Sequence, residues 1–450
     1  MAYARGWFDA QGRLELRMKD AYVDMITNQS AAEAEAEGAA SEAFLARLDE
    51  VRDLLSTPVF VDVDVSHGLV LLLQGMRPGL AGAVMTLDDD TVASVEAAKF
   101  VDGIEMRAHI GFDQIVHYEG SVPALRIDEA DGTHTRFLGA EVDGEYVLAT
   151  GVLTFAGEAP FFMATFAEDE ALEIRGLRTS GEYRQFEGGL WLGDAQATID
   201  TITSNLPDGD GVVVALNLER FSLSGGLTLD EQDDQLLKAT VRYGADRLTM
   251  DEVSASFDVP MSVDGVSREA MVDFLALNSD PEYLRFMADP EGSVPIPDEL
   301  TAFLEKMIAQ PPSVRIGPAE VTYDDAPVNF DLHASLASAV LRDTGFAGLA
   351  DPAIATQAAI VKADATVPAA LAEQIAELVL ADQIGASFGP STMSPEQIAQ
   401  LAAAQAPAML EQLVQQGMIQ REGDRYRAKV SVENGNLDLN GLVLPLGMFQ

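Results

Sequence analysis

The 450-residue chain predicts an α+β fold. The expected form is an elongated, twisted, mostly antiparallel β-sheet, whose inner face can be an open groove, with helices clustered in the C-terminal half. Three observations carry this expectation. Apolar and polar side chains alternate with a period of two through much of residues 58–260, as in half-buried strands. Glycine-led apolar strings recur at Gly68-Leu-Val-Leu, Gly189-Leu-Trp-Leu, Gly225-Gly-Leu-Thr-Leu and Gly441-Leu-Val-Leu. Apolar stripes at helical spacing become frequent only after residue 260. The strings fit ordinary strand starts as well as a meander of similar β-units, and their spacing is too uneven for a solenoid. Three segments follow: 1–57 with a first strand, an Ala/Glu-rich linker and a helix, a β-rich domain at 58–260, and a mixed α+β domain at 261–450 ending in a β-hairpin.

From Leu14 to Lys19, Leu14, Leu16 and Met18 alternate with Glu15, Arg17 and Lys19, which predicts a strand close to the start. The Ala/Glu stretch 31–40 leads into a helix over 41–55, with Phe44, Leu48, Val51 and Leu55 on one stripe. In "VFVDVDV", Val61, Val63 and Val65 share one face and Asp62 and Asp64 the other. The stretch 212–229 alternates through two turn signals. Helices are expected at 268–277, 298–308, 370–380 and 394–417. The last carries Ser394 as cap, Pro395 at the first position, Gln397 completing a capping box and Gly417 as a left-handed stop, with a kink at Pro407. Near the end, Tyr426, Ala428, Val430 and Val432 alternate with Arg425, Arg427, Lys429 and Ser431 before an Asn434-Gly435 type I′ turn. A face this basic, in so acidic a chain, predicts pairing with an acidic neighbour.

Charge excludes some partners. Seventy-three acidic residues against 28 basic ones give a formal charge of −45, which repels nucleic-acid phosphates and anionic headgroups. Such a balance fits solubility or salt adaptation, with a cationic partner as the alternative. No cysteine is present, so disulfides, thiolate nucleophiles and Cys-ligated metals are excluded. The longest wholly aliphatic run, Leu69 to Leu73, is far short of a membrane span, and no signal-peptide pattern opens the chain.

The chemistry-bearing strings are weak, and neither a catalytic residue, a metal site nor a cofactor is expected. Gly385-Ala386-Ser387-Phe388-Gly389 matches a nucleophile-elbow pattern but lacks a preceding strand and a downstream histidine, so a helix–helix loop is the better reading. His109 and His117 would share a strand face without forming a helix-borne zinc pair. Asp208 and Asp210 sit in an acidic turn lacking the remaining ligands of a calcium loop, and 88–90 and 230–234 read as solvated acidic loops. Trp7-Phe8, Phe161-Phe162 with Phe166, Phe186 and Trp191 fit core filling. They also fit a curved sheet whose apolar face stays partly open to an acyl chain, lipid or partner segment.

Four strings together resemble the YdgA-like proteins of Gram-negative bacteria, a family of unassigned function. They are "YARGWF" (3–8), "VSHGLVLLLQG" (65–75), "GLRTSGEYRQFEGGLWLGDAQATI" (176–199) and the terminal stretch 413–446. Leu69 stands where the family has proline after its His-Gly pair. The resemblance implies a periplasmic protein tethered to the inner membrane by an N-terminal anchor ahead of Tyr3, with the present chain as the part beyond it. It brings no catalytic residues. His67 and Gly68 are motif-derived candidates for a shared binding or structural role, and Phe161, Phe162 and Trp191 are the aromatic candidates for ligand contact. The expected function is non-catalytic binding of a hydrophobic or lipid-like envelope component along a β-groove. An interaction scaffold for an envelope protein, or a homodimer through strand edges, is the alternative, and an envelope hydrolase a third.

Overall fold

The computed structural model describes residues 3–5, 9–16, 23, 27, 52, 56, 59–67, 79–87, 103–128, 133–167, 170–207, 213–250, 253–277, 280–287, 295–324, 326–388 and 394–446. These residues are mostly a large, open antiparallel β-sheet, with helices mainly in the C-terminal half. They divide into two compact units. The first comprises Met1–Ala215, Gly226–Thr228 and Arg268–Leu304, the second Leu216–Gly225, Leu229–Ser267 and Glu305–Gln450.

The first unit is a meander. Its strands are β1 (Tyr3–Arg5), β2 (Asp9–Leu16), β3 (Val59–His67), β4 (Ala81–Leu87), β5 (Glu105–Ile110) and β6 (Ile115–Val122). There follow β7 (Leu125–Asp128), β8 (His134–Phe137), β9 (Ala140–Val147), β10 (Val152–Ala167), β11 (Glu170–Gln185) and β12 (Trp191–Pro207). Each of β1 to β6 pairs antiparallel with the next, β6 then pairs with β9, and β9, β10, β11 and β12 follow in turn. The β7–β8 hairpin pairs with the later half of β10. Directly opposed residues share a face, so the registers assign every side chain. One face gathers Leu14, Val61, Val63, Val65, Met85, Met106, Ile110, Val116, Val142 and Leu153. The other gathers Arg13, Asp62, Asp64, Glu105, Arg107, Glu119, Asp143 and Arg178. The unit is one amphipathic sheet, the outcome dictated by the alternation in the sequence.

Strand β13 (Val213–Leu229) contributes residues to both units. It corrects the expectation of turn signals within 212–229: a single 17-residue strand runs through Gly225-Gly226, and Arg220 within it has a positive φ of 49°. The acidic stretch 230–234 is an exposed loop, in which Asp230 Oδ1 accepts from the Gln232 and Asp233 amides.

The remaining strands are β14 (Leu236–Met250), β15 (Val253–Ser267), β16 (Ser313–Tyr323), β17 (Ala326–Leu336) and β18 (Ala359–Pro368), followed by β19 (Gln420–Glu422), β20 (Arg425–Glu433), β21 (Asn436–Leu439) and β22 (Leu442–Pro445). In the second unit β14 to β18 pair in sequence, β18 pairs with β20, and β20, β21 and β22 follow. The helices are α1 (Arg268–Leu277), α2 (Pro281–Met287), α3 (Asp298–Ala309), α4 (Ser338–Thr344), α5 (Pro352–Ala358), α6 (Ala369–Phe388) and α7 (Pro395–Gln415). In α1, Arg268 lies over the Phe186 ring, and the Phe274 and Phe303 rings meet at 5.4 Å, all within the first unit. In the second unit α6 and α7 bury Ala372, Ala376, Ala406 and Leu410 against Tyr426 of β20. Alanines at the helix contact let the two backbones approach closely.

Helix α7 ends as its sequence predicts. The Ser394 side chain accepts from the Gln397 amide and Gln397 Oε1 accepts from the Ser394 amide, closing the capping box. At the other end Gly417 has φ 75°, its amide donates to Val414 O, and the Met418 amide donates to Leu413 O. Those two bonds are the Schellman pattern. The helix continues through Pro407. Gly385–Phe388, expected as a loop, is the last turn of α6, a helix whose Ala, Leu, Glu and Gln residues are strong helix formers. Of the helix expected at 41–55, only Arg52 falls within the described residues; it is helical and donates to Thr27 Oγ1 at 2.9 Å. The linker 31–40, Trp7-Phe8, Gly68, residues 88–90, and Asp208 with Asp210 lie outside them.

Candidate functional site

Five strands of the first unit place an aromatic residue and a glycine two positions apart: Tyr118 and Gly120, Tyr146 and Gly144, Phe155 and Gly157, Tyr183 and Gly181, Trp191 and Gly193. Positions two apart share a face, and the registers put all five pairs on the apolar face of the sheet. The pairs interlock across strands. Tyr118, Gly144, Phe155 and Gly181 form one cross-strand row, and Tyr146, Leu153, Tyr183 and Gly193 the next. Tyr118 and Phe155 therefore oppose Gly144, Phe155 also opposes Gly181 and Tyr183 opposes Gly193, while Tyr146 stands between Val116 and Leu153 and Trp191 opposes Gln185.

Two of the glycines, Gly144 and Gly181, leave space that the neighbouring rings occupy. A Cβ on Gly144 would stand 2.3 Å from the Tyr118 hydroxyl oxygen and 2.2 Å from Thr154 O, and one on Gly181 would stand 2.6 Å from the Phe155 ring. The rings thus lie down over bare backbone. Tyr118 Oη, once there, donates to Thr154 O at 2.8 Å; burial and the nearby Asp143 carboxylate push the phenol's pKa up, which keeps it a donor at neutral pH. Phe155 and Tyr183 lie nearly parallel, with centroids 6.2 Å apart and 5° between planes. Trp191 tilts against Tyr146 at 6.2 Å and is 37% exposed. Tyr118, Tyr146, Phe155 and Tyr183 are half-buried, so the patch reaches solvent along its length.

The residues expected from the sequence do not converge on this patch as a set. Trp191 belongs to it. Phe161 is on the same face but only 8% exposed, with the guanidiniums of Arg136 and Arg175 over its ring at 5.6 and 5.0 Å. Two cations covering one ring is a packing arrangement. Phe162, the next residue in a strand, points to the opposite face and opposes Phe137. His67 ends β3 exposed, opposite Ala81. Seven strand steps separate β3 from β12, about 34 Å at the usual spacing. Tyr118, Tyr146, Phe155 and Tyr183 were not among the sequence candidates. The signal that identifies them is the two-residue spacing of aromatic and glycine, repeated strand after strand.

The polar faces carry the concavities. Two in the first unit, about 390 and 550 Å3, share Glu141 and Asp143 in their walls. Another, about 620 Å3, lies in the second unit over β16–β18, β20 and β21. Cross-strand ion pairs lace these faces: Arg13–Asp62 at 3.5 Å, Arg178–Asp200 at 2.9 Å, Lys238–Asp264 at 3.0 Å, Arg242–Asp258, Arg315–Asp331 at 3.0 Å and Arg427–Asp364 at 2.7 Å. The basic side of β20 therefore meets the acidic neighbour its sequence predicts, in Asp364 of β18. His109 and His117 are direct cross-strand partners with rings stacked at 4.8 Å, and His117 Nδ1 lies 3.0 Å from Glu145 Oε1. Among the described residues no three His, Asp or Glu side chains group as a metal site would require, and no helix is long and apolar enough to cross a membrane.

Residues 1–446 match a bacterial protein family of unknown function, DUF945. The chain belongs to DUF945. Membership covers both units, so the aromatic face and the ion-paired faces lie within the extent of the family. Neither the curated proteins nor the solved structures yield a match.

Proposed function

We propose that this DUF945 protein is a non-catalytic envelope protein, YdgA-like and tethered to the inner membrane on the periplasmic side, that holds a hydrophobic or lipid-like molecule against the aromatic face of its first unit. The observation that carries this reading is the interlocked set of five aromatic–glycine pairs. Glycines between the rings leave the backbone low there, which permits close approach of an extended apolar chain and lets a sheet curl toward that face. Half-exposed rings offer area at little entropic cost on binding. The periplasmic setting rests on the resemblance of 3–8, 65–75, 176–199 and 413–446 to the YdgA-like family. Strand-edge dimerisation finds less support. Among the described residues the outermost strands, β1 and β22, have only 3 and 4 residues, the short form that discourages edge pairing.

Tryptophan fluorescence tests the reading. With Trp7 replaced by Phe, Trp191 is the remaining tryptophan. A fatty acid brominated along its chain should quench it saturably, and Phe155→Ala should weaken that quenching while leaving the far-UV spectrum unchanged. Native mass spectrometry of the envelope-expressed protein should reveal a co-purifying lipid. A delipidated protein whose Trp191 is quenched only as free tryptophan is, by simple collision, sinks the proposal in favour of a scaffold.

A further inference from the structure

We infer that the 620 Å3 concavity of the second unit is a binding site for a phosphate-type oxyanion, centred on His333 and Lys362. Its floor is a cross-strand row that runs Arg315, His333, Lys362, Ser431 and Asp438 over β16, β17, β18, β20 and β21. Adjacent members of such a row have Cβ atoms about 5 Å apart. The cations Arg315 and Lys362 thus stand one strand to either side of the His333 ring, a set of donors that one negatively charged group can bridge.

The surrounding ion pairs show how unusual the row is. Elsewhere on the same face several cations are matched by a carboxylate on the neighbouring strand: Lys238 by Asp264, Arg242 by Asp258, Arg427 by Asp364. Lys362 forms no ion pair among the described residues. The carboxylate two residues along, Asp364, is already taken by Arg427 Nε and Nη2 at 2.9 and 2.7 Å, with Lys429 at 3.8 Å. His333 has no hydrogen bond or ion pair among the described residues either. Arg315 spends Nε and Nη2 on Asp331, at 3.2 and 3.0 Å, which leaves Nη1. Asp331 and Asp364 line the concavity but are neutralised by these bidentate bonds, and Asp438 turns Oδ1 to the Gly441 amide at 2.6 Å.

Four donors thus remain along the row: Arg315 Nη1, the His333 ring, Lys362 Nζ and the Ser431 hydroxyl. Four donors on separate strands match the three terminal oxygens of a phosphate better than the two oxygens of a carboxylate. The net charge of −45 opposes an anion at long range, yet at physiological salt that field decays within about 8 Å, so the local row decides. A soluble phosphate or phosphate ester and a phospholipid headgroup present the same group to it. The site lies in the other unit from the aromatic face and on a polar surface, so it stands or falls independently of the function proposed above.

The test follows the ring signals of His333 in the full chain, assigned with His333→Gln, at constant ionic strength. Inorganic phosphate, glycerol phosphate and phosphatidylglycerol vesicles serve as separate probes. A saturable shift with the first two supports a soluble source, and a shift with vesicles alone supports a headgroup. In either case Lys362→Gln should weaken binding about ten-fold, the usual worth of a charged hydrogen bond. Lys238→Gln, which removes a paired cation of the same face, should leave it unchanged. His333 signals that ignore all three probes, or equal losses from the two lysine variants, would overturn the inference.

Discussion

Replacing Gly181 by alanine tests whether the aromatic face is a fitted arrangement. The backbone of Gly181 lies outside the positive-φ region, so alanine meets no conformational penalty there. In open surroundings the change would stabilise by about 0.4–1 kcal/mol through the unfolded chain. Its new Cβ, however, would stand 2.6 and 2.9 Å from Phe155 Cε1 and Cζ and 2.9 Å from Asp194 O. The carbonyl is fixed by the β11–β12 ladder, so the ring must move. Tilting it gives up the parallel contact with Tyr183, worth about 0.5–1.5 kcal/mol, and overpacking adds about 1–3 kcal/mol. The net expectation is a loss of about 0.5–4 kcal/mol, centred near 2, after the entropic gain. Urea unfolding, followed by Trp191 fluorescence in a Trp7→Phe background, reports the first unit. In a Phe155→Ala background the ring clash is gone, so the Gly181→Ala cost should fall by about 1 kcal/mol, a coupling typical of residues in contact. Additive costs in that cycle would refute the claim that the glycine exists to seat the ring.

Three further outcomes are expected. Gly385→Ala, in α6 with nothing within 4 Å of its Cβ, should raise stability by about 0.5–1 kcal/mol in thermal unfolding, since glycine is a poor helix residue. Asn440→Ala should lower it by about 2–3 kcal/mol, because its side chain accepts from the Lys429 amide at 2.9 Å and donates to Met418 O at 2.6 Å, tying the end of α7 to the terminal hairpin; urea titration of wild type and variant measures the difference. The Arg427 guanidinium holds the Asp364 carboxyl below its ordinary pKa, with Lys429 assisting. A depressed carboxylate pKa contributes stability above the unfolded value, about 3.9, and loses it as pH falls through the folded value. A double-mutant cycle between Arg427→Gln and Asp364→Asn should therefore show coupling at pH 7 that shrinks as pH falls through the lowered folded-state value.

Period-two alternation made the strands legible, since burying one face of a sheet needs little more than the right residue at every second position. Caps were legible too: Ser394, Gln397 and Gly417 satisfy backbone groups only a few residues away. The residues 212–229 misled because two glycines resemble a turn locally, while the strand they belong to is set by its neighbours. Phe161 and Phe162 look like a pair in sequence and part company in the fold, because a strand sends adjacent side chains to opposite faces. The row Arg315, His333 and Lys362 is spread over 48 positions of sequence and is assembled by register alone, so nothing local announces it.

Register also explains how so acidic a chain holds a sheet together. Only 28 basic residues are available against 73 acidic ones, and several arginines among them are spent where strands meet. Arg178, Arg242, Arg315 and Arg427 each fork onto an aspartate of the adjoining strand. A fork fixes two strands in one register and removes a carboxylate from the repulsive field at the same place. Exposed single pairs are worth little, so their main effect is to specify alignment, with the alternating apolar face supplying most of the stability. On that division of labour, a lysine placed in the same ladder without a carboxylate adds repulsion and fixes no register. Lys362 has this character, which makes the anion test at His333 a test of the ladder's logic as well as of a ligand.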